Sequence, residues 1–278
     1  MQTPADLSIR PRDIAFGRNA SPQRWWMGGD PVATAFYNAL SASFPQGERF
    51  FIDSVRRFRD AAGPELQEQI KAFTTQEAIH SREHVFFNQQ AEAAGYDLTK
   101  INEIIKKRLA FGRSLPQIYQ LSATMALEHF TAVLAHAVLS DPRHLEKAPA
   151  EMQRMWRWHA IEEVEHKGVA FDTWMAARKD SWPIARWFGR VRAMFMATVI
   201  FLEFIIRGTK LFFEQDNINN VASWFRLFTF LFGKPGLFRQ VIGAYFAFYL
   251  PGFHPWHIDD RQLVASVDRE LRGSYALP

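Results

Sequence analysis

The chain has no cysteine in 278 residues. That excludes a disulfide framework, an iron–sulfur cluster and a zinc ribbon. Any metal must be held by imidazole and carboxylate. Long apolar runs are missing too. Ala193 to Leu202 is apolar, but Glu203 and Arg207 interrupt its extension, and Val241 to Leu250 stops at Pro251 and Gly252. Neither reaches the roughly 20 residues a membrane-spanning helix needs. The opening MQTPADLSIRPRDIAF holds no apolar run of signal-peptide length, so no secretion signal is expected. The net charge of +4 is spread over short clusters, without a long basic run or a nucleic-acid motif, so no nucleic-acid partner is expected. Strand signals are nearly absent. The expected location is cytoplasmic, with peripheral contact at the inner face of the membrane.

What is present is aromatic and imidazole-rich: 26 Phe, 9 Trp and nine His. Residues 1–30 read as an irregular segment, with Pro4, Pro11, Pro22, Gly28 and Gly29. From Pro31 the pattern is helical, with Asp30 as cap; Pro45 and Gly47 are expected to bend or break it. A second helix is predicted from about Pro64 to Ala94, stopped by Gly95. A short one follows from Leu98 to Ala110. Two long ones then run from about Leu115 to Val138 and from about Pro149 to Lys179. The fold class expected is all-α, a four-helix bundle over residues 31–181 with an aromatic-rich helical extension, residues 182–278, packed on it.

Chemistry concentrates on four of these helices. In WHAIEEVEHKGVAFD, the residues His159, Glu162, Glu163 and His166 share one helix face. Glu163 and His166 form a Glu-x-x-His pair, which lets a carboxylate and an imidazole bind one metal from a single turn. Glu162 would take the place of Glu163 if the helix were rotated. Glu165 points elsewhere, towards solvent or an Arg. In QEAIHSREH, Glu77 and His80 repeat the pair, with His84 one turn on. Glu128 lies in an otherwise apolar helix, where an unpartnered acid is costly, and Glu48 lies among aromatics in FPQGERFF. The order Glu / Glu-x-x-His / Glu / Glu-x-x-His is the signature of ferritin-like di-iron or di-manganese bundles. The expected ligands are Glu48, Glu77, His80, Glu128, Glu163 and His166, holding two metal ions, iron before manganese. His84 and His159 are either further ligands or partners that orient the carboxylates. His159 and Glu162 are the candidates for acid–base work.

The stretches FPQGERFF, EAIHSREH, EHFTA and WHAIEEVEHKGVAFD resemble a bacterial family described as predicted metal-dependent hydrolases, over roughly residues 25 to 260. The ligand order also resembles the wider ferritin-like di-iron superfamily, with the membrane-associated quinone hydroxylases as the nearest parallel in spacing. The resemblance implies a metal-dependent enzyme and leaves its reaction open.

Trp182 to Trp256 holds 20 of the 41 aromatic residues. It reads as two or three helices that pack on the bundle, line a pocket for a hydrophobic substrate, or lie in the membrane interface through residues 182–257. Glu203 needs a partner there, with Arg207 one turn away. The function expected is an oxidoreductase: O2-dependent oxidation or hydroxylation of a hydrophobic, lipid-like molecule, fed by an electron donor. Hydrolysis by a metal-activated water is the alternative, and a non-catalytic metal-binding bundle the second.

Overall fold

A computed structural model describes residues 3–4 and 6–275. Among them every regular element is helical. The order is α1 (Pro31–Arg56), α2 (Pro64–Ala93), α3 (Thr99–Ser114), α4 (Gln117–Ser140), α5 (Ala150–His166), α6 (Val169–Ala177), α7 (Pro183–Gln215), α8 (Val221–Phe232), α9 (Leu237–Ala247) and α10 (Arg261–Tyr275). Helices α1, α2, α5 and α4 form a closed ring of neighbours, each packed on the next. Their inward faces carry the acids and histidines singled out above.

The starts and stops follow capping chemistry. Asp30 accepts from the N–H groups of Val32 and Ala33, with Pro31 in the first turn. Gly95 ends α2 at φ +92°, a conformation that a side chain disfavours. Pro45, however, neither breaks nor ends α1. A proline at that position leaves the Ser41 carbonyl without its helical donor. The side-chain amide of Asn88, on α2, donates to that carbonyl at 3.2 Å. The neighbouring helix thus supplies the missing bond, and α1 continues without a break past Glu48 to Arg56.

The long helix expected over residues 149–179 is two helices. α5 ends at His166 and α6 begins at Val169. At Gly168, a Cβ would come within 2.8 Å of Thr3 and 3.0 Å of the Trp256 indole. The chain turns there, and Lys167 is drawn out to the backbone of Ile258 and the carboxylate of Asp260, at 2.7 and 2.5 Å.

The aromatic segment forms α7, α8 and α9. α7 packs on α1 and α4, and α9 on α4. Gly208 permits the α7–α1 approach, because a Cβ there would sit 3.0 Å from that of Ala39. One large apolar cluster runs from Phe16 and Phe36 through Trp158 to Phe213, Leu237 and Leu271, so the aromatic segment shares the core of the ring. No helix among the described residues is long and apolar enough to cross a membrane.

Candidate metal centre

Four helices each place their acid inward at the same level. Glu48, Glu77, His80, Glu128, Glu163 and His166 are all 0–4% exposed. The i, i+3 spacing puts Glu77 with His80 and Glu163 with His166, so two imidazoles meet four carboxylates. His166 Nε2 lies 3.1 Å from Glu77, 3.3 Å from Glu128 and 3.6 Å from Glu163. His80 Nδ1 lies 4.0 Å from Glu77 and 3.5 Å from Glu163. Yet His80 Nδ1, His166 Nε2, both oxygens of Glu77 and of Glu128, and one each of Glu48 and Glu163 have no hydrogen-bond partner. Buried polar atoms are almost always paired. Here lone pairs converge on common spaces instead.

Several of these groups fall within mutual reach of one cation: Glu48, Glu77 and His80; Glu77, Glu163 and His166; His80, His159 and Glu163; and Glu48, His84 and His159. Each group's ligand atoms lie within 4.8 Å of one another. Glu48, Glu77, His80, His159 and Glu163 each recur in two groups, whereas Glu128 falls in none and adjoins the centre through His166, 3.3 Å away. The orphaned lone pairs and the carboxylate–imidazole chemistry fit metal ions.

The electrostatics agree. Burial raises Glu48 well above the usual carboxylate range, and neighbouring Glu77 adds to this. Burial likewise raises Glu77, against the pull of His166. Glu128 is pushed up to about 8 by burial, in spite of His166. Without a cation these acids are forced towards their protonated forms. His80 rises to about 10: burial lowers it, but the neighbouring carboxylates of Glu162, Glu163 and Glu77 favour its charged form more strongly. His159 falls to about 4, through burial and then the charge of His80.

Behind the histidines lies a second layer of bonds. His80 Nε2 is 3.0 Å from Glu162 Oε2. A carboxylate only accepts, so Nε2–H donates, and Nδ1 is the nitrogen that faces the centre and would offer its lone pair there once a cation displaces its proton. His166 Nδ1 is 3.0 Å from the Gln76 carbonyl oxygen, which leaves Nε2 free in the same way. Gln76 in turn donates to Glu165 at 2.9 Å. Glu162 and Glu165 both end on Arg12. Its guanidinium donates to Glu162 at 3.3 Å and to Glu165 at 3.0 and 2.6 Å, and its backbone N–H donates to Glu162 at 2.8 Å. One arginine from the irregular N-terminal segment therefore fixes the tautomers of both histidines.

The structure also sorts the other candidates. His84 Nε2 is 2.6 Å from His159 Nδ1, and its Nδ1 is 2.8 Å from Ser41 Oγ. His159 Nε2 is 2.8 Å from Glu163. Glu162 sits behind His80, away from the cluster, so it is Glu163 that faces inward. Glu165 does not point to solvent: it is 5% exposed and paired with Arg12. Local spacing gave no sign of Arg12, which lies 150 residues from Glu162 in sequence. Gln76 had a weak signal, one residue before Glu77 on the neighbouring face. Arg12→Ala is expected to weaken metal affinity about 10–100-fold with the six inward residues intact. Competition against a chelating dye measures this; unchanged affinity would show that Arg12 only ties down the N-terminal segment.

A cavity of about 260 Å³ ends at this cluster, lined there by Glu48, His159 and Glu163. Its walls are apolar, with Phe44, Phe51, Leu127, Phe130, Leu134 and Phe204 among them. On α4 the lining residues Ala123, Leu127, Phe130, Leu134 and Val138 follow one helix face, so the cavity runs along that helix.

An all-α protein with a buried carboxylate–imidazole centre at the end of an apolar cavity is the class that these observations define. The sequence profile of the family described as predicted metal-dependent hydrolases matches residues 10–259, and the chain belongs to that family. No curated protein and no solved structure matches it. The family overturns the expectation of O2-dependent oxidation and places the chain with the hydrolytic alternative instead. With oxidation goes the reason for expecting iron, O2 and an electron donor. The physical cause of the error is that carboxylates and imidazoles specify a divalent cation, not what the cation does.

Proposed function

We propose that the protein hydrolyses an ester, amide or phosphoester bond in a molecule with a long apolar part, using two divalent cations. The observation that carries this is the convergence of unpartnered Glu and His lone pairs at the closed end of an apolar cavity. Glu48, Glu77 and His80 would hold one cation, and Glu128, Glu163 and His166 the other, with Glu77 and Glu163 between them. Their order on α1, α2, α4 and α5 supports a ferritin-like bundle over residues 31–181, with 182–278 as an extension that walls the cavity. Two such cations lower the pKa of a water and polarise a carbonyl or phosphoryl group.

The chain's own residues supply the rest. Glu162, Gln76 and Arg12 keep His80 and His166 oriented. His159 lines the cavity beside Glu163; its Nε2–H donates to the Glu163 carboxylate and its Nδ1 meets His84 Nε2, so it positions that carboxylate at the end of the cavity. His84 and Ser41 continue the hydrogen-bonded run behind it. Glu162 orients His80 and does not reach the substrate. The apolar walls hold the chain of the substrate and exclude bulk water, which strengthens the charges at the closed end.

Chelator-stripped protein should show no hydrolysis of p-nitrophenyl esters or of bis-p-nitrophenyl phosphate. Reloading with Mn2+ or Zn2+ should restore cleavage of at least one, without O2 uptake. Cleavage unaffected by stripping would overturn the reading.

A further inference from the structure

The outer face of the aromatic segment is the largest surface feature that the metal centre does not explain. Fifteen of the twenty large hydrophobics exposed among the described residues lie between Trp182 and Leu250. On α7 they fall at helical spacing: Phe188, Phe195, Met196, Val199, Leu202 and Ile206. Phe225, Phe228 and Phe232 do the same on α8, and Ile242 and Phe246 on α9. Each helix buries its other side against α1, α4 or a neighbouring helix, so the exposed residues are in excess of what the core uses. Nor is the face loosely held. Trp187 donates to the Tyr249 carbonyl at 2.9 Å, Thr198 and Tyr245 hydroxyls meet at 2.9 Å, and Arg190 donates to the Phe248 and Leu250 carbonyls. An apolar area of this extent on a fixed scaffold marks an interaction site.

Charge says what it meets. Between residues 182 and 250 there are eight Arg or Lys against three Asp or Glu. The acids are already paired: Glu203 with Arg207 and Arg108, Glu214 with Lys210, and Asp216 with Arg24. Arg192, Lys234 and Arg239 remain exposed among the aromatics, and Arg226 is exposed beside Asp30. Phenylalanines interspersed with arginines suit the headgroup boundary of an anionic bilayer, where rings enter the acyl region and cations stay at the phosphates. A second copy of the same face would instead bring like charges together.

The cavity adds an independent observation. Its lining includes Phe111, 64% exposed, and Arg108, so it opens between α3 and α7. On α7 the lining residues Ile200, Phe201 and Phe204 alternate with exposed Val199, Leu202 and Ile206. The wall of the cavity and the exposed face are two sides of one helix. The Arg108–Glu203–Arg207 ion pairs lie at that junction.

We propose that the α7–α9 face docks on an anionic phospholipid surface and sets the mouth of the cavity at the membrane boundary. An apolar substrate then passes from bilayer to cavity without crossing water. The docking stands on this surface alone and holds whatever reaction the metal centre performs. The test is flotation of the full chain with vesicles of phosphatidylcholine, with and without phosphatidylglycerol. The protein should float with the mixed vesicles, less so as salt rises. Phe195→Glu, Phe228→Glu and Phe246→Glu together should lower the bound fraction at least about tenfold. These positions are 58–61% exposed, so melting temperature and metal content should stay at the parent values. Arg192→Glu with Arg226→Glu should give the same loss without touching the aromatics. No flotation of the parent protein would overturn the proposal, as would equal flotation of both variants. So would a discrete dimer of the parent that the phenylalanine substitutions dissociate.

Discussion

Glu77→Ala and Glu163→Ala are each expected to lower the proposed hydrolysis by about 10³-fold or more and to bring metal content below that of the parent protein. Each side chain belongs to two of the groups of convergent ligand atoms, so in the proposed two-cation centre each loss should weaken both cations. A cation that polarises the scissile group supplies several kcal/mol, and each 1.4 kcal/mol is tenfold in rate. Stability separates this from a folding defect. In the metal-free protein both oxygens of Glu77 are buried without a hydrogen-bond partner. Removing such a group from an apolar setting is expected to leave the metal-free melting temperature equal or higher. A structural acid would behave in the opposite way, with a melting temperature that falls. Glu77→Gln keeps the volume and removes the charge. It should match the alanine variant in activity, because an amide binds a divalent cation far less well than a carboxylate.

Leu127→Trp or Leu134→Trp narrows the cavity along α4 and makes the enzyme selective against long substrates. Both residues line the wall, and neither belongs to the polar cluster. If the acyl part of a substrate lies along this wall, an indole that excludes about four methylenes removes about 3 kcal/mol of apolar burial. That corresponds to about 100-fold in kcat/KM for the longest p-nitrophenyl esters. The shortest esters, which need only the closed end, should keep their rates within about twofold. Equal losses for short and long esters would mean that the cavity does not hold the substrate. Metal content reports whether the added volume has disturbed the centre.

Much of the centre was legible because helix periodicity is local. Glu77 with His80, and Glu163 with His166, are pairs one turn apart, and such pairs share a face in any helix. Glu48 and Glu128 stood out because a carboxylate in an apolar stretch requires a partner. The neighbouring Glu162, Glu163 and Glu165 were harder to separate. Only the packing shows that Glu163 turns inward while the other two turn towards Arg12. Features that depend on distant contacts left no local trace. Pro45 reads as a helix breaker until Asn88, on α2, is seen to satisfy the Ser41 carbonyl. Gly168 reads as a tolerated glycine until Thr3 and Trp256 are seen against it. Arg12 sits in a segment without periodicity, and its partners lie about 150 residues away.

The reaction was misread for a different reason. Four glutamates and two histidines in a helical ring are a donor set, and a donor set of this kind suits metal cations as a class. It does not decide between oxidation and hydrolysis, because both begin with a cation in a dry pocket. The family match favours hydrolysis over oxidation. The apolar cavity fits the substrate side of that chemistry, through residues that sequence reading recognised only as aromatic-rich.

The central claim is that the six inward residues form a metal centre. Metal analysis of the purified protein, joined to anomalous scattering from its crystals, tests it most directly. Two anomalous peaks are expected, one bounded by Glu48, Glu77 and His80 and the other by Glu128, Glu163 and His166. A fully metal-free protein that does not take up Mn2+ or Zn2+ would contradict it, as would a peak bound outside this cluster alone.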